Sequence, residues 1–270
     1  MRNLSPGNRY GLGWRRQLPD HRDLVYAASA HVMAKLPPHV DLRSSMPPIW
    51  DQGELGSCTA HGVGALMQFM HMKERHADAA RRPSRLMLYW LAREMEGAVN
   101  EDTGAEIRDV VKAAVRWGTA FEGGGSATDE WPYDIAKYRE RPPQRAFTAA
   151  SKFEALEYRA PLQVSQQLRA VLAGSLPFTF GVTLYSSFES EEVARTGIVP
   201  MPHPQEAPMG GHCMVAVGYD DTGTIGPARH FLVRNSWSKK WGVGGHCWMP
   251  YEYLLRQDLA ADFWVISRVE

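Results

Sequence analysis

Cysteine, net charge and long apolar runs are all scarce in this 270-residue sequence. Its three cysteines cannot support a fold stapled by several disulfides. The 30 basic and 30 acidic residues cancel, which disfavours nucleic acid or an anionic membrane as the main partner. No run reaches the roughly 18 apolar residues that a membrane-spanning helix requires. With 44% hydrophobic and 22% charged residues, the composition is that of a globular protein with one large domain or two lobes.

The N-terminal residues 1–39 differ from the rest of the chain in composition and in hydrophobic pattern. The stretch that begins at Met1 has no apolar core of a signal peptide, so we expect a cytoplasmic protein, with export by a non-standard route left open. Pro, Gly, Arg and Asp are frequent, and neither a helical nor a strand period is sustained. We predict an extended leader against the body of the protein, and the sequence leaves open whether it crosses a functional cleft.

Helical patterns follow in residues 40–150. Ser57 and Ser84 are plausible N-caps of two helices, because a serine hydroxyl can accept a hydrogen bond from the first turn. A third pattern over residues 107–115 is closed by Gly118, a residue suited to a helix C-terminus. These patterns predict a helical lobe.

Short β-branched or aromatic runs characterise residues 151–270. After a helix near 164–173, five such runs, bounded by Gly, Asp or Pro, predict strands. The five runs are 178–185, 213–219, 231–234, 246–249 and 263–267. Helices first and strands second are typical of an α+β protein with two lobes. We therefore predict three parts: the leader 1–39, a helical lobe 40–150 and a β-rich lobe 151–270.

Cys58 is the first residue with a candidate chemical role. It falls in the first turn of a predicted helix, where the positive end of the helix dipole favours a thiolate. Gln52, six residues earlier, can bring an amide donor near the thiol. For an isolated cysteine, a buried structural role is the more common outcome, so the assignment depends on the rest of the chain.

Two later stretches carry matching residue types. His212 follows Gly210 and Gly211 at the start of a predicted strand, and Asn235 and Trp237 follow another strand. A carboxamide at that position can fix the tautomer of an imidazole beneath an indole ring. Taken singly, the histidine could be an ordinary core residue, and the tryptophan could belong to an ordinary turn.

Together these stretches resemble the papain family of cysteine peptidases, in a bacterial form without disulfides, from about Val40 to the end. The resemblance implies that Cys58 is the nucleophile, His212 the general base and Asn235 the residue that orients the imidazole. It also implies an oxyanion hole made by the Gln52 side chain and the Cys58 backbone N–H. The family's local cysteine signature and its chain order are established patterns.

The same resemblance implies the fold and the substrate-binding positions. We expect a papain-like two-lobe α+β fold, with a helical left lobe, an antiparallel β-barrel-like right lobe and the active-site cleft between them. Gly104, Gly211 and Trp237 are the candidate substrate-binding residues, and Trp237 also shields the histidine–asparagine pair. Leu55 and Thr59 stand where the family usually has a cysteine and an aromatic residue.

The implied reaction is hydrolysis of peptide bonds by an endopeptidase, through a thioester acyl-enzyme. We expect a thiolate–imidazolium pair at neutral pH, peptide or protein substrates, no cofactor, no metal and a monomer. The leader could make the protein an autoinhibited zymogen. Two alternatives stay open: acyl transfer, transpeptidation or deamidation with the same thiol, and a catalytically silent papain-like binding module. Substrate specificity and the activation route cannot be read from the sequence.

Four residues outside these motifs receive structural interpretations. Cys213 and Cys247 lie on predicted strands, and we expect free, buried thiols. His61 lies one turn after the predicted nucleophile and is interpreted as a packing residue. His71, which lacks metal-ligand spacing to any neighbour, is expected at the surface.

Overall fold

The computed structural model describes residues 10–123 and 130–270. Within them there are eight α-helices: α1 (Ala30–Ala34), α2 (Cys58–Lys73), α3 (Arg85–Met95), α4 (Ile107–Arg116), α5 (Gln144–Ala150), α6 (Ser165–Ala173), α7 (Glu191–Thr196) and α8 (Tyr251–Leu255). Eight strands accompany them: β1 (Val25–Tyr26), β2 (His39–Asp41), β3 (Ala155–Pro161), β4 (Phe178–Tyr185), β5 (Pro208–Asp220), β6 (His230–Arg234), β7 (His246–Pro250) and β8 (Ala260–Val269).

The strands form one sheet in the order β1-β3-β8-β4-β5-β6-β7, with β2 beside β5. All pairs are antiparallel except β1 with β3. Within the described residues β1 and β7 do not pair, so the expected barrel-like lobe is an open sheet. β1 contributes only two residues, and its ladder to β3 ends the sheet on that side.

The five predicted strands are all present, and the predicted helices begin close to their expected residues. Ser84 caps α3 through its side chain, which accepts a hydrogen bond from the Met87 backbone N–H. The leader is less uniform than expected, because it contains α1 and β1. Such short elements give no period that a sequence pattern could reveal.

Helix α2 packs against helices α3 and α4 and also against strands β4, β5 and β8 of the sheet. Gly62 makes the close approach possible: a Cβ there would lie 2.6 Å from Thr179 Oγ1 and 2.9 Å from Cys213 Sγ. Burial on all sides also explains why the surface prediction for His71 is wrong. Its side chain is buried and stacks on Phe153, with ring centroids 4.4 Å apart.

The three cysteines all fall in the described part of the chain, and none forms a disulfide. Cys213 and Cys247 are buried, and burial raises the pKa of both thiols. No helix between residues 10 and 123 or between 130 and 270 is long and apolar enough to cross a membrane.

Candidate active site

Cys58 begins α2 and is completely buried. One turn later, Gly62 lies against Cys213 on β5. Cys58 itself interacts electrostatically with Cys213, the residue next to His212. The packing of α2 on β5 therefore places the predicted nucleophile against the stretch of sheet that carries the predicted general base.

His212 and Asn235 form a direct pair, although 23 residues separate them. His212 lies in β5 and Asn235 directly follows the adjacent strand β6. The imidazole Nε2–H donates to Asn235 Oδ1 over 2.8 Å, and the Ser236 backbone N–H donates to the same oxygen over 2.8 Å. Because Asn235 Oδ1 can only accept, Nε2 carries the proton and Nδ1 holds a lone pair. Nδ1 is buried and has no hydrogen-bond partner among the described residues.

The environment of His212 is dry. Trp237 covers the imidazole with ring centroids 4.9 Å apart, and the His212 side chain is completely buried. Burial lowers the pKa of His212 to about 4, although the Asn235 hydrogen bond acts in the opposite direction. Burial therefore disfavours the imidazolium form while the cleft is closed.

Gln52 is held with its amide group turned towards the cleft. Its Oε1 accepts a hydrogen bond from Ser236 Oγ over 2.6 Å, so its Nε2 faces the other way. Nε2 donates to the Leu55 carbonyl over 2.9 Å and to the Gly11 carbonyl over 2.8 Å. The predicted oxyanion donor is therefore oriented by Ser236, whose role the sequence analysis did not assign although it stands between two assigned residues.

Tyr133 links the Gln52 loop to the start of α2. Its hydroxyl donates to the Gln52 carbonyl over 2.9 Å and lies 2.6 Å from Ser57 Oγ. Since the single phenolic proton goes to Gln52, the Ser57 hydroxyl donates to Tyr133. Ser57 precedes α2 as expected, but its side chain serves this contact instead of capping the helix. Tyr133 is 76 residues from Ser57, and no local sequence signal indicates its role.

His61 also stabilises the start of α2, through a contact with Ser57. Its Nε2 lies 2.7 Å from Arg85 Nη1, and its Nδ1 lies 3.0 Å from the Ser57 carbonyl. A guanidinium only donates, so Nε2 accepts and Nδ1–H donates to Ser57. Arg85 in turn pairs with Glu122 over 2.6 Å. Burial, with Arg85 next in importance, lowers the pKa of His61 well below its usual range. The buried Arg85–Glu122 ion pair thus holds His61 in position next to the start of α2, with its neutral form favoured.

Residues 10–17, named here the cleft segment, run across this site. Tyr10 stacks on Trp237 with ring centroids 4.9 Å and planes 5° apart. The Gly11 carbonyl takes the Gln52 amide hydrogen bond, and the Gly11 backbone N–H donates to the Gly53 carbonyl over 3.3 Å. The segment therefore occupies the donor that an oxyanion would need.

The next residues of the cleft segment pair with both lobes. The Trp14 backbone N–H donates to the Gly211 carbonyl over 3.0 Å, and the Ala105 N–H donates to the Gly13 carbonyl over 2.8 Å. A Cβ on Gly104 would overlap the Gly13 carbonyl, and a Cβ on Gly211 would overlap Trp14. All three predicted substrate-binding residues, Gly104, Gly211 and Trp237, thus contact the cleft segment.

Trp14 anchors the segment through its side chain. The indole Nε1–H donates to Asp262 Oδ2 over 2.8 Å, and the Gln17 backbone N–H donates to the same oxygen over 3.0 Å. A Cβ on Gly181 of β4 would overlap the indole ring. The ring therefore lies flat against the sheet, in a position that only a glycine permits.

Comparisons with known proteins agree with this geometry. The family model described as papain family cysteine protease matches residues 36–256. The chain belongs to the papain family of cysteine proteases. It is therefore a hydrolase of peptide bonds, with peptides or proteins as substrates. Its fold is the papain-like α+β fold that the sequence analysis predicted.

Individual relatives cover most of the chain. Xylellain, a cysteine protease from Xylella fastidiosa, superposes with a TM-score of 0.86 at 35% identity and covers 99% of each chain. An uncharacterised peptidase C1-like protein of Acanthamoeba polyphaga mimivirus is 33% identical over 282 positions, covering 95% of this chain and 86% of the viral protein. Procathepsin B S9 from Trypanosoma congolense shares the fold, with a TM-score of 0.65 at 14% identity over 97% of this chain and 87% of that one.

Proposed function

We propose that this protein is a cysteine endopeptidase with the triad Cys58, His212 and Asn235, made as a zymogen that its own cleft segment closes. The observation that carries the triad is the hydrogen bond of 2.8 Å between His212 Nε2 and Asn235 Oδ1. It leaves Nδ1 as the basic nitrogen, next to the sheet position against which Cys58 packs.

The reaction follows from these positions. His212 Nδ1 accepts the thiol proton, and the Cys58 sulfur attacks the carbonyl carbon of the scissile peptide bond. The resulting oxyanion receives hydrogen bonds from Gln52 Nε2 and the Cys58 backbone N–H, and one such donor contributes about 3 kcal/mol in comparable sites. The imidazolium then protonates the leaving amine, and water hydrolyses the thioester and restores the thiol.

Closure by the cleft segment is supported by what it occupies. A substrate carbonyl must replace Gly11 at Gln52 Nε2, and substrate backbone must replace Gly13 and Trp14 beside residues 105 and 211. Burial of His212 in the closed arrangement also disfavours the imidazolium that the reaction requires. We therefore expect the closed protein to be inactive until the segment leaves the cleft.

Two glycines of the segment offer a direct test. A Cβ on Gly11 would overlap the backbone of residues 54–56, and a Cβ on Gly13 would overlap the Gly56 carbonyl. The variant Gly11→Ala/Gly13→Ala, named here the opened variant, should therefore release the segment without deleting any of the chain. Gly123→Ala is the matched control, because a Cβ there meets nothing within 4 Å.

The assay is hydrolysis of a peptidyl coumarin amide. The opened variant should release coumarin at least about 100-fold faster than the native chain, the effect of removing roughly 3 kcal/mol of closure. The Gly123→Ala protein should behave as the native chain does. A folded opened variant that hydrolyses no peptide would contradict the proposal. Adding a primary amine in excess distinguishes hydrolysis from acyl transfer, since a transferase would form the amide product instead of the acid.

A further inference from the structure

A groove lies beside Trp237, bordered on one side by residues of the candidate active site. Its volume is about 910 Å³. The groove is lined by the aromatic side chains of Trp237, Trp241 and Tyr133, and its border includes Tyr10 and Gln52. It holds three carboxylates and one ammonium group among its described lining residues, namely Asp51, Glu54, Glu189 and Lys240. We name it the leaving-side groove.

Its position follows from the proposed chemistry. The scissile carbonyl oxygen must point to Gln52 Nε2, and the leaving nitrogen must reach His212, which protonates it. Trp237 covers His212 and also lines the groove. The residues that follow the scissile bond therefore enter the leaving-side groove, whereas Gly104 and Gly211 lie further along the cleft, beside Gly13 and Trp14.

Among the described residues, no cation compensates the negative charge of the half-buried Glu189 carboxylate. Glu189 ends a short 3-10 turn over Ser186–Glu189, which Phe188 fixes by stacking on Trp241 with centroids 5.4 Å apart. Glu189 Oε1 is buried and has no hydrogen-bond partner among the described residues. Burial raises the pKa of this carboxyl group, and no cation of the described residues acts against that rise. A half-buried carboxylate without a partner is costly unless a ligand supplies the missing charge.

We infer that Glu189 binds an arginine or lysine side chain of the substrate, at one of the first two positions after the scissile bond. This inference rests on the proposed function. A guanidinium or ammonium group in the groove supplies the opposite charge that the Glu189 carboxylate lacks, and it forms a charge-assisted pair in a partly dry site. The two further carboxylates that line the groove strengthen its negative potential.

The test measures binding, so that it does not depend on turnover. The protein is the full chain of the opened variant with Cys58→Ala, and the ligands are fluorescent peptides that differ only in Arg, Leu or Glu after the scissile bond. Fluorescence anisotropy should show the Arg peptide binding about tenfold more tightly than the Leu peptide, with the Glu peptide weakest.

Substitution of Glu189 isolates its role. Glu189→Gln should reduce the Arg preference to about twofold or less, and Glu189→Lys should reverse it in favour of the Glu peptide. Glu191→Gln, an exposed glutamate two residues away on α7, is the matched control and should retain the tenfold preference. Equal affinities for the three peptides, or an unchanged preference in Glu189→Gln, would overturn the inference. Absence of turnover with Cys58 restored would refute the proposed peptidase instead.

Discussion

Two regions meet in the cleft and are held in opposite ways. The catalytic frame, defined by Gln52, Tyr133, Asn235 and Ser236, is fixed by side-chain hydrogen bonds of 2.6–2.9 Å between distant parts of the chain. The cleft segment is held by backbone hydrogen bonds at positions where glycine allows close contact, and by its own side chains, among them a stacked tyrosine, a buried indole and an arginine paired with Glu96.

The difference separates what is permanent from what is removable. Apart from the Gln52 hydrogen bond to the Gly11 carbonyl, the side-chain hydrogen bonds of the catalytic frame that the described residues form do not involve the cleft segment, so the frame should persist when the segment leaves. The segment depends on a few backbone hydrogen bonds, each worth about 1 kcal/mol, on the burial of Trp14 and on a small number of side-chain contacts at the surface of the body. Such contacts can close a cleft firmly and still be reversed by a modest perturbation. Variants that disturb either the catalytic frame or the cleft segment test this difference.

The largest effect is expected from removing the chemistry itself. In the opened variant, Cys58→Ala or His212→Ala should lower peptide hydrolysis by about 10⁴-fold or more, because triad members act as a unit. Circular dichroism and the thermal unfolding midpoint should show that each protein is still folded. Substantial hydrolysis by either folded variant would remove that residue from the triad.

Loss of the indole anchor should open the cleft without changing the triad. Trp14→Ala in the otherwise native chain removes a buried ring and its hydrogen bond to Asp262, and such truncations typically cost about 3 kcal/mol or more. Coumarin release should rise by about 100-fold. Trp117→Ala, at a partly buried indole at the end of α4, controls for general loss of packing and should leave the closed state intact. Equal rates in the two variants would contradict closure by Trp14.

Tyr133→Phe tests the catalytic frame directly. Removing the hydroxyl frees the Gln52 loop from Ser57, so both oxyanion donors should be less well placed. In the opened variant we expect kcat to fall by about tenfold with KM nearly unchanged, the pattern of a lost transition-state interaction. Tyr253→Phe is the matched control, a buried tyrosine whose hydroxyl donates to the Thr183 carbonyl over 2.8 Å. A change confined to KM would mean that Tyr133 serves binding only.

The smallest effect concerns pH. Burial raises the pKa of Asp262 to about 6 in the closed protein and outweighs the hydrogen bonds from Gln17 and Trp14, which act in the opposite direction. We therefore expect closure to bind a proton there. Asp262 therefore favours closure at low pH, and its contribution is lost as the pH rises through 6. His212 acts oppositely, because burial lowers its pKa to about 4 and closure releases a proton there. The two contributions largely offset each other between pH 4 and 6.5.

Asp262→Asn should expose the His212 contribution alone. The closed form of this variant should then weaken about fivefold as the pH falls from about 6.5 to about 5.5, whereas the native chain should change little. The ratio of Cys58 alkylation rates between Asp262→Asn and the opened variant, measured at each pH, cancels the intrinsic titration of the thiol. A ratio independent of pH would show that the two groups do not govern closure.

The contrast between the two regions also explains what the sequence could predict. Cys58, His212, Asn235 and Gln52 occur in short stretches with local patterns, and the structure places them around one cleft. Tyr133 could not be found this way, because its partners are about 80 residues away and nothing in its own neighbourhood indicates them.

The contacts of the leader and the pairing at the edge of the sheet could not be predicted for the same reason. Trp14 pairs with Asp262 across 248 residues, and β1 pairs with β3 over two residues only. Contacts that depend on tertiary structure leave no periodic signal. The sequence also could not reveal that burial lowers the pKa of His212, since that burial depends on the tertiary packing around the imidazole.

The alkylation rate of Cys58 tests the central claim, a reactive thiol closed by the chain's own cleft segment, most directly. Native chain and opened variant would be treated with iodoacetamide at pH 7 and followed by intact mass, with Cys58→Ala identifying the modified residue. The account predicts a single adduct that forms at least about 100-fold faster in the opened variant. Equal rates in the two proteins, or no adduct at Cys58 in either, would contradict it.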